Sequence, residues 1–296
     1  MSEEPFYRSP EAFRRALTDR LRAIAAESMW TLTQLQRQMA YDRLLERLYL
    51  VDDGWVVKGA AALLARDIGV RASIDIDVYR AKALEIAEAD LREAVTRDIG
   101  DWFRFELGPR KPAGDGSQAV RVPVTAYVGA TIWAQFHVDL VGSDIVMTGE
   151  PEDVPPLARV AIPDVEQHGY RAYPLVDHIA DKIAAIFQPY GNGQPSTRYR
   201  DLVDLVAIIA AATVGADEQI TALRSEEARR AITLPNRFDV PDRKAWETGY
   251  AAEAAKSLLP YAKTLDEALA LVRPFIDPLL DGTATGSWNA AAKRWE

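Results

Sequence analysis

The sequence predicts an α/β half with helices before it, followed by an all-helical half. Three observations carry this prediction. Between residues 55 and 141, β-branched runs with period two alternate with short helical stretches. From residue 174 onward, apolar residues recur only at helical spacing. A Pro-rich connection, EPEDVPP (150–156), separates the two regimes, so the boundary falls near 165–174 and the domains are taken as 1–168 and 169–296.

In chain order, residues 11–28 and 33–49 read as amphipathic helices, with Phe13, Leu17, Leu21 and Ile24 on one stripe and Leu44, Leu45 and Leu48 on another. Trp55 to Lys58 reads as a short strand, Gly59 as a turn, and Ala60 to Arg66 as a short helix stopped by Gly69. RASIDIDVYR alternates strictly and is a strand, with Ile74, Ile76 and Val78 expected to face the core. A helical stretch over 82–98 precedes strands at 102–107, 119–128 and 131–141. The link KPAGDGS (111–117) is a turn within a meander. LARVAIP (157–163) reads as one more strand. Helices follow at 174–188, 198–213, 216–232, 242–257 and 264–280, the first two separated by GNGQPST.

Composition narrows the classes. The chain has 296 residues, 48% hydrophobic, enough to bury a sizeable core. It contains no Cys, which excludes disulfides, thiolate metal sites and Cys nucleophiles. No apolar run reaches the roughly 18 residues of a membrane span, and MSEEPFYRSPEAFRRAL lacks the apolar segment of a signal peptide. The expected setting is cytoplasmic, away from membranes, and the expected state is a monomer. A net charge of −9, evenly spread, does not suit a bulk nucleic-acid coat. A local basic face is still available in Arg8, Arg14, Arg15, Arg20, Arg22, Arg37, Arg43 and Arg47, which are either a solvated helix surface or a phosphate-contacting one.

The chemistry is concentrated around Asp75 and Asp77. Two apart on a strand, they project from the same face. Paired carboxylates repel, and a hard divalent ion such as Mg²⁺ is what their juxtaposition can serve. A merely acidic exposed strand is the plain alternative. Gly59, after Lys58, stands in a strand–turn–helix setting where backbone amides can approach a phosphate, or it is simply a tight turn. Arg71 and Ser73 precede Asp75, and Ser73 shares its face. In WAQFHVDLV, Trp133, Gln135, His137 and Asp139 share one face, which makes Asp139 a candidate third metal ligand and His137 a structural hydrogen-bonder.

These residues resemble a known family. A Gly-containing turn, a D-x-D strand and a later strand acid form the layout of polymerase beta-like nucleotidyltransferases. WVVKGAAALLARDIGVRASIDIDVYR is similar more narrowly to the AbiEii toxin family, with its MenT-type members. Lys58, Gly59, Arg71, Ser73, Asp75 and Asp77 match that family's first block, while Ala60 stands where Gly or Ser is usual. The second block, a helical lysine followed by R-x-[KR]-D-x-x-D-L, is met by Lys182 and by Arg198 to Leu205. The resemblance spans roughly residues 12–210.

The resemblance implies a nucleotidyltransferase core with a mixed sheet, flanking helices and a helical C-terminal domain that contributes Lys182 and Asp201. It implies Asp75, Asp77, Lys182 and Asp201 as the functional set, with Lys58, Gly59, Arg71 and Ser73 on the nucleotide. Metal would sit on Asp75, Asp77 and Asp139. The implied activity is a Mg²⁺-dependent (or Mn²⁺-dependent) transfer of NMP from an NTP to the 3′ end of tRNA. That would block aminoacylation and translation, and a cognate antitoxin would restrain it. The acceptor stem would meet basic spots such as Arg224, Arg229, Arg230, Arg237, Arg243 and Lys244. Other phosphoryl-transfer chemistry on the same metal site, or non-catalytic nucleotide binding, are the alternatives.

Overall fold

The computed structural model describes residues 5–69, 71–113, 119–143 and 145–296. The chain divides into two compact units: residues 1–66, 72–145 and 153–172, and residues 67–71, 146–152 and 173–296.

The first unit opens with α1 (Pro10–Glu27) and α2 (Leu32–Tyr49). Ser9 caps α1 through Ala12 N, and Thr31 with Gln34 forms a capping box on α2, so orphan amides at both helix starts are satisfied. Then come β1 (Trp55–Lys58), α3 (Gly59–Ala65), β2 (Asp75–Arg80) and α4 (Leu84–Ala94). The strands β3 (Phe103–Leu107), β4 (Lys111–Pro112), β5 (Val120–Val128) and β6 (Thr131–Val141) follow, and β7 (Glu152–Val154) and β8 (Tyr170–Ala172) complete the sheet.

The sheet is mixed, in the order β3-β5-β6-β2-β1-β8-β7, with β4 beside β5. β2 and β6 are parallel, as are β1 and β8, while β1/β2, β3/β5 and β5/β6 are antiparallel. Its apolar face presents Val57, Ile76, Val78, Val122, Val124, Phe136, Val138 and Leu140 to the core shared with Phe13, Leu17, Leu44 and Leu45. The alternate residues along the same strands form a polar face. The link from α4 to β3 is tied to α2 by Asp101, whose carboxylate takes both Arg43 and Arg47 in a buried cluster.

Three sequence expectations are corrected. LARVAIP is not a strand. Ala158, Val160 and Ile162 do alternate into the core, but the segment has only an isolated bridge from Ile162 to Val165. The amides of Leu157 and Ala158 donate to the buried Asp42 carboxylate instead of a ladder. β7 arises inside the stretch read as a connection, just before Pro155 and Pro156 end it. Ile74 is 57% exposed, because β2 starts at Asp75; Ser73 Oγ accepts from Asp75 N just before it. Much of the turn expected over 111–117 lies outside the described residues.

The second unit holds α5 (Leu175–Phe187), α6 (Tyr199–Ala211), α7 (Ala216–Arg230), α8 (Arg243–Lys256) and α9 (Leu265–Leu280), closed by the small ribbon β9 (Trp288–Asn289) with β10 (Arg294–Trp295). α5 packs on α6 and α7, and α6 on α8 and α9. Trp246, Tyr250, Phe275 and Trp288 are fully buried. Their polar atoms are satisfied where they are buried: the indoles of Trp246 and Trp288 donate to Ser196 O and Ile209 O. Among the described residues, no helix is long and apolar enough to cross a membrane.

Candidate active site

The polar face of the first unit's sheet gathers its charges in rows. Cross-strand register places Arg121 opposite Asp139, Asp139 beside Asp77, and Asp77 opposite Lys58. The next row sets Pro123 opposite His137, and His137 beside Asp75. Residues paired across strands share a face, so the sequence expectation of a same-face Asp75–Asp77 pair is met, and Asp139 lies next to Asp77 in register.

Gly59 is required here for two reasons. Its φ is +61°, and a Cβ on it would lie 1.9 Å from Asp77 Oδ2. Any other residue would be strained and would displace the carboxylate. Gly59 is also the first residue of α3, so Asp77 lies against the turn between β1 and that helix.

Two residues hold Asp75. His137 Nδ1 donates to its Oδ1 (3.0 Å), and Arg121 Nη2 donates to its Oδ2 (3.2 Å). The same Arg121 is bidentate on Asp139, through Nε to Oδ1 (2.8 Å) and Nη2 to Oδ2 (2.6 Å). The hydrogen bonds it donates to Asp139 raise the Arg121 pKa further above its ordinary value, with the charges of Asp139, Asp75 and Asp77 adding to this. Among the described residues, no group of three His, Asp or Glu could hold a metal ion. Asp139 has both oxygens on Arg121. Arg121 escaped the sequence reading; its signal was the alternation of VRVPVTAYV, which places Arg121 and Pro123 off the apolar face.

Ser73 lies beside this cluster. Tyr41 OH donates to its carbonyl at 3.1 Å, with the longer contact from Arg37 Nη1 at 3.4 Å. Burial lifts the Tyr41 hydroxyl well above its ordinary pKa, so it stays a donor.

The second unit carries a charged cluster of its own. Lys182 Nζ donates to Asp201 Oδ1 (2.9 Å) and Asp204 Oδ2 (2.7 Å). Arg71 is bidentate on Asp204 (2.9 and 2.8 Å), and Arg198 Nε donates to Asp201 Oδ2 (2.5 Å). The Lys182 side chain is only 5% exposed. Burial by itself would lower its pKa, but Asp201 and Asp204 raise it above the usual lysine value. Burial would likewise raise the Asp204 pKa, yet Lys182 and Arg71 hold it well below the carboxylate range. The two carboxylates therefore favour the ammonium form of Lys182. Asp201 sits in the first turn of α6, as the sequence implied, and it serves Lys182 and Arg198; Arg200 pairs with Glu253.

Several of the basic residues picked out in the sequence are committed to partners within the chain. Arg43 and Arg47 are buried on Asp101, Arg14 donates to the carbonyls of Thr131 and Ile132, and Arg22 pairs with Asp19. In the second unit Arg229 and Arg230 pair with Glu226 and Asp181, and Arg243 with Glu247 and Asp266.

A mixed sheet with flanking helices, a D-x-D strand against a glycine turn and a helical second unit define the nucleotidyltransferase-toxin class of fold. The structure is similar to the nucleotidyltransferase toxin MenT4 from Mycobacterium tuberculosis H37Rv, with 18% identity and a TM-score of 0.51, covering 91% of this chain and 98% of that one. It also matches JHP933 from Helicobacter pylori at 17% identity and a TM-score of 0.46, over 83% of this chain and 92% of that one. No curated protein matches the sequence. The family model for the nucleotidyl transferase AbiEii toxin, type IV toxin–antitoxin system, matches residues 43–275. The chain belongs to that family.

Proposed function

We propose that the protein transfers a nucleoside monophosphate from an NTP to the 3′ end of tRNA in a Mg²⁺-dependent reaction, and so blocks aminoacylation and translation. The family supplies the nucleotidyltransferase class. The observation that carries the site is the same-face pair Asp75 and Asp77, with Asp77 lying against Gly59.

The donor set suits Mg²⁺, which is commonly held by one or two carboxylates and completed by substrate phosphates and water. Asp75 and Asp77 would hold it. Once bound, the ion would neutralise triphosphate charge and activate the attacking hydroxyl. Around it the chain's own groups position the reactants. Gly59 keeps the backbone free of a side chain beside Asp77. His137 fixes the orientation of Asp75. The acceptor hydroxyl forms a bond to the α-phosphorus, the bond to the bridging α–β oxygen breaks, and pyrophosphate departs. The hydroxyl proton passes to a carboxylate of the pair. Positioning and charge neutralisation supply most of the acceleration. By resemblance to the family motif, Lys182 and Asp201 would serve the same reaction. A cognate antitoxin that restrains the activity accords with the toxin–antitoxin class.

The test is incubation of the protein with total tRNA, Mg²⁺ and NTP labelled at either the α or the γ position. Label from the α position on intact tRNA, abolished by periodate oxidation of the tRNA 3′ end, is the expected result. Label from the γ position, or release of inorganic phosphate alone, would replace this reading with kinase or hydrolase chemistry.

A further inference from the structure

The D-x-D pair comes with its own counter-charge. Arg121 lies opposite Asp139 in the β5–β6 register and donates three hydrogen bonds, two to Asp139 and one to Asp75. Its side chain is 39% exposed, against 26% for Asp75 and 14% for Asp139. Both oxygens of Asp75 are engaged, one by Arg121 and the other by His137. Both oxygens of Asp139 are engaged by Arg121 alone. A planar guanidinium is always protonated and bridges two carboxylates well. It therefore neutralises Asp75, one acid of the D-x-D pair, together with the neighbouring Asp139, at the place where a divalent cation held by Asp75 and Asp77 would put its charge.

We propose that Arg121 is a resident counter-cation of the acidic pair, anchored by Asp139, and that a divalent ion must displace it from Asp75 in order to bind. This rests on the reading of Asp75 and Asp77 as the metal-holding residues. Arg121 then sets the cation affinity of the site. Asp139 acts through the arginine rather than as a third ligand. Loading of the site is weak until an NTP brings its own oxygens to compensate for the lost ion pair.

The experiment measures Mn²⁺ binding to the full chain, without NTP, from the free Mn²⁺ signal in electron paramagnetic resonance. It compares the wild type with Arg121→Gln and Arg121→Lys, each verified by a cooperative thermal transition. Removing one unit of positive charge beside a partly exposed carboxylate is expected to tighten Mn²⁺ binding about fivefold to tenfold in Arg121→Gln. Arg121→Lys keeps the charge and the pair with Asp139 but gives up the bridge to Asp75, and about threefold tightening is expected. Should Arg121→Gln fail to fold, Arg121→Lys alone decides. A folded variant that binds Mn²⁺ no tighter than wild type overturns the proposal. If wild type incorporates α-label normally while the variants show no tightening, only this inference fails. If no form binds Mn²⁺ and none transfers label, the functional reading fails with it.

Discussion

At Gly59 a single hydrogen atom leaves the Asp77 carboxylate room for its present place. Gly59→Ala would place a methyl group 1.9 Å from the present position of Asp77 Oδ2, at a backbone φ of +61°. The backbone penalty is about 1–2 kcal/mol, and Asp77 must also move. We expect a thermal midpoint lowered by a few degrees and transfer of α-label reduced at least about a hundredfold, since small misplacements are costly in catalysis. Equal activity in the alanine variant would show that Asp77 does not need its place. Asp42 gives a second residue-scale prediction. Burial, resisted by hydrogen bonds from Tyr170 and the amides of Ala158 and Leu157, lifts its pKa from 3.8 to about 6. Between those values the unfolded chain has released the proton and the folded protein still holds it, so stability falls as pH rises from about 4 to 6. A shift of that size corresponds to about 3 kcal/mol. Unfolding measured against pH should show this component in the wild type and lose it in Asp42→Asn.

At the scale of elements, the strand pair β5–β6 shows what a sequence can and cannot disclose. That Asp75 and Asp77 share a face is local and follows from the two-residue period. That Arg121 faces Asp139 is not local. The hairpin starts by pairing Val128 with Thr131, and an unbroken ladder from there would bring Arg121 opposite Val138. A register shift between Ala126 and Tyr127 moves the pairing by one residue and sets Arg121 against Asp139. The extra residue is Trp133 of β6, which the sequence placed on the face of Gln135, His137 and Asp139 and which the bulge turns into the core; no pattern in TIWAQFHVDLV announces it. Deleting Tyr127 shifts the rest of β5 by one residue against β6 and should turn Arg121 toward the core side, and we expect the cooperative thermal transition to be lost; a variant with wild-type stability would mean that the hairpin does not fix the register. The helices α5, α6 and α9 were legible because each carries a long apolar stripe, and α8 shows Trp246, Tyr250 and Ala254 at helical spacing, whereas β7 and β8, at three residues each, are too short to show any period. Lys182 illustrates the same limit in the second unit. Its helix could be read, but its pairing with both Asp201 and Asp204 depends on how α5 packs on α6. Lys182→Ala would leave those acids buried with too little positive charge. We expect a loss of about 3–5 kcal/mol in stability, visible as a lower midpoint in chemical denaturation. An unchanged midpoint would show that the cluster tolerates the loss of its ammonium.

For the whole molecule, each unit carries its own charged cluster, and the two differ in kind. In the first unit Asp75, Asp139, Arg121 and His137 are partly exposed on an open strand face. In the second unit Lys182, Asp201 and Asp204 are buried and compensate one another's charge. The family was legible in the sequence because its two motif blocks are short and contiguous, and the matched span of residues 43–275 takes in both. The measurement that bears most directly on the central claim is transfer of α-label from NTP to tRNA by wild type and by Asp77→Asn, both shown to unfold cooperatively at similar temperatures. The account predicts label on tRNA with wild type and at least a hundredfold less with the asparagine variant. Equal labelling by the two, or no labelling by wild type with any NTP, would contradict it.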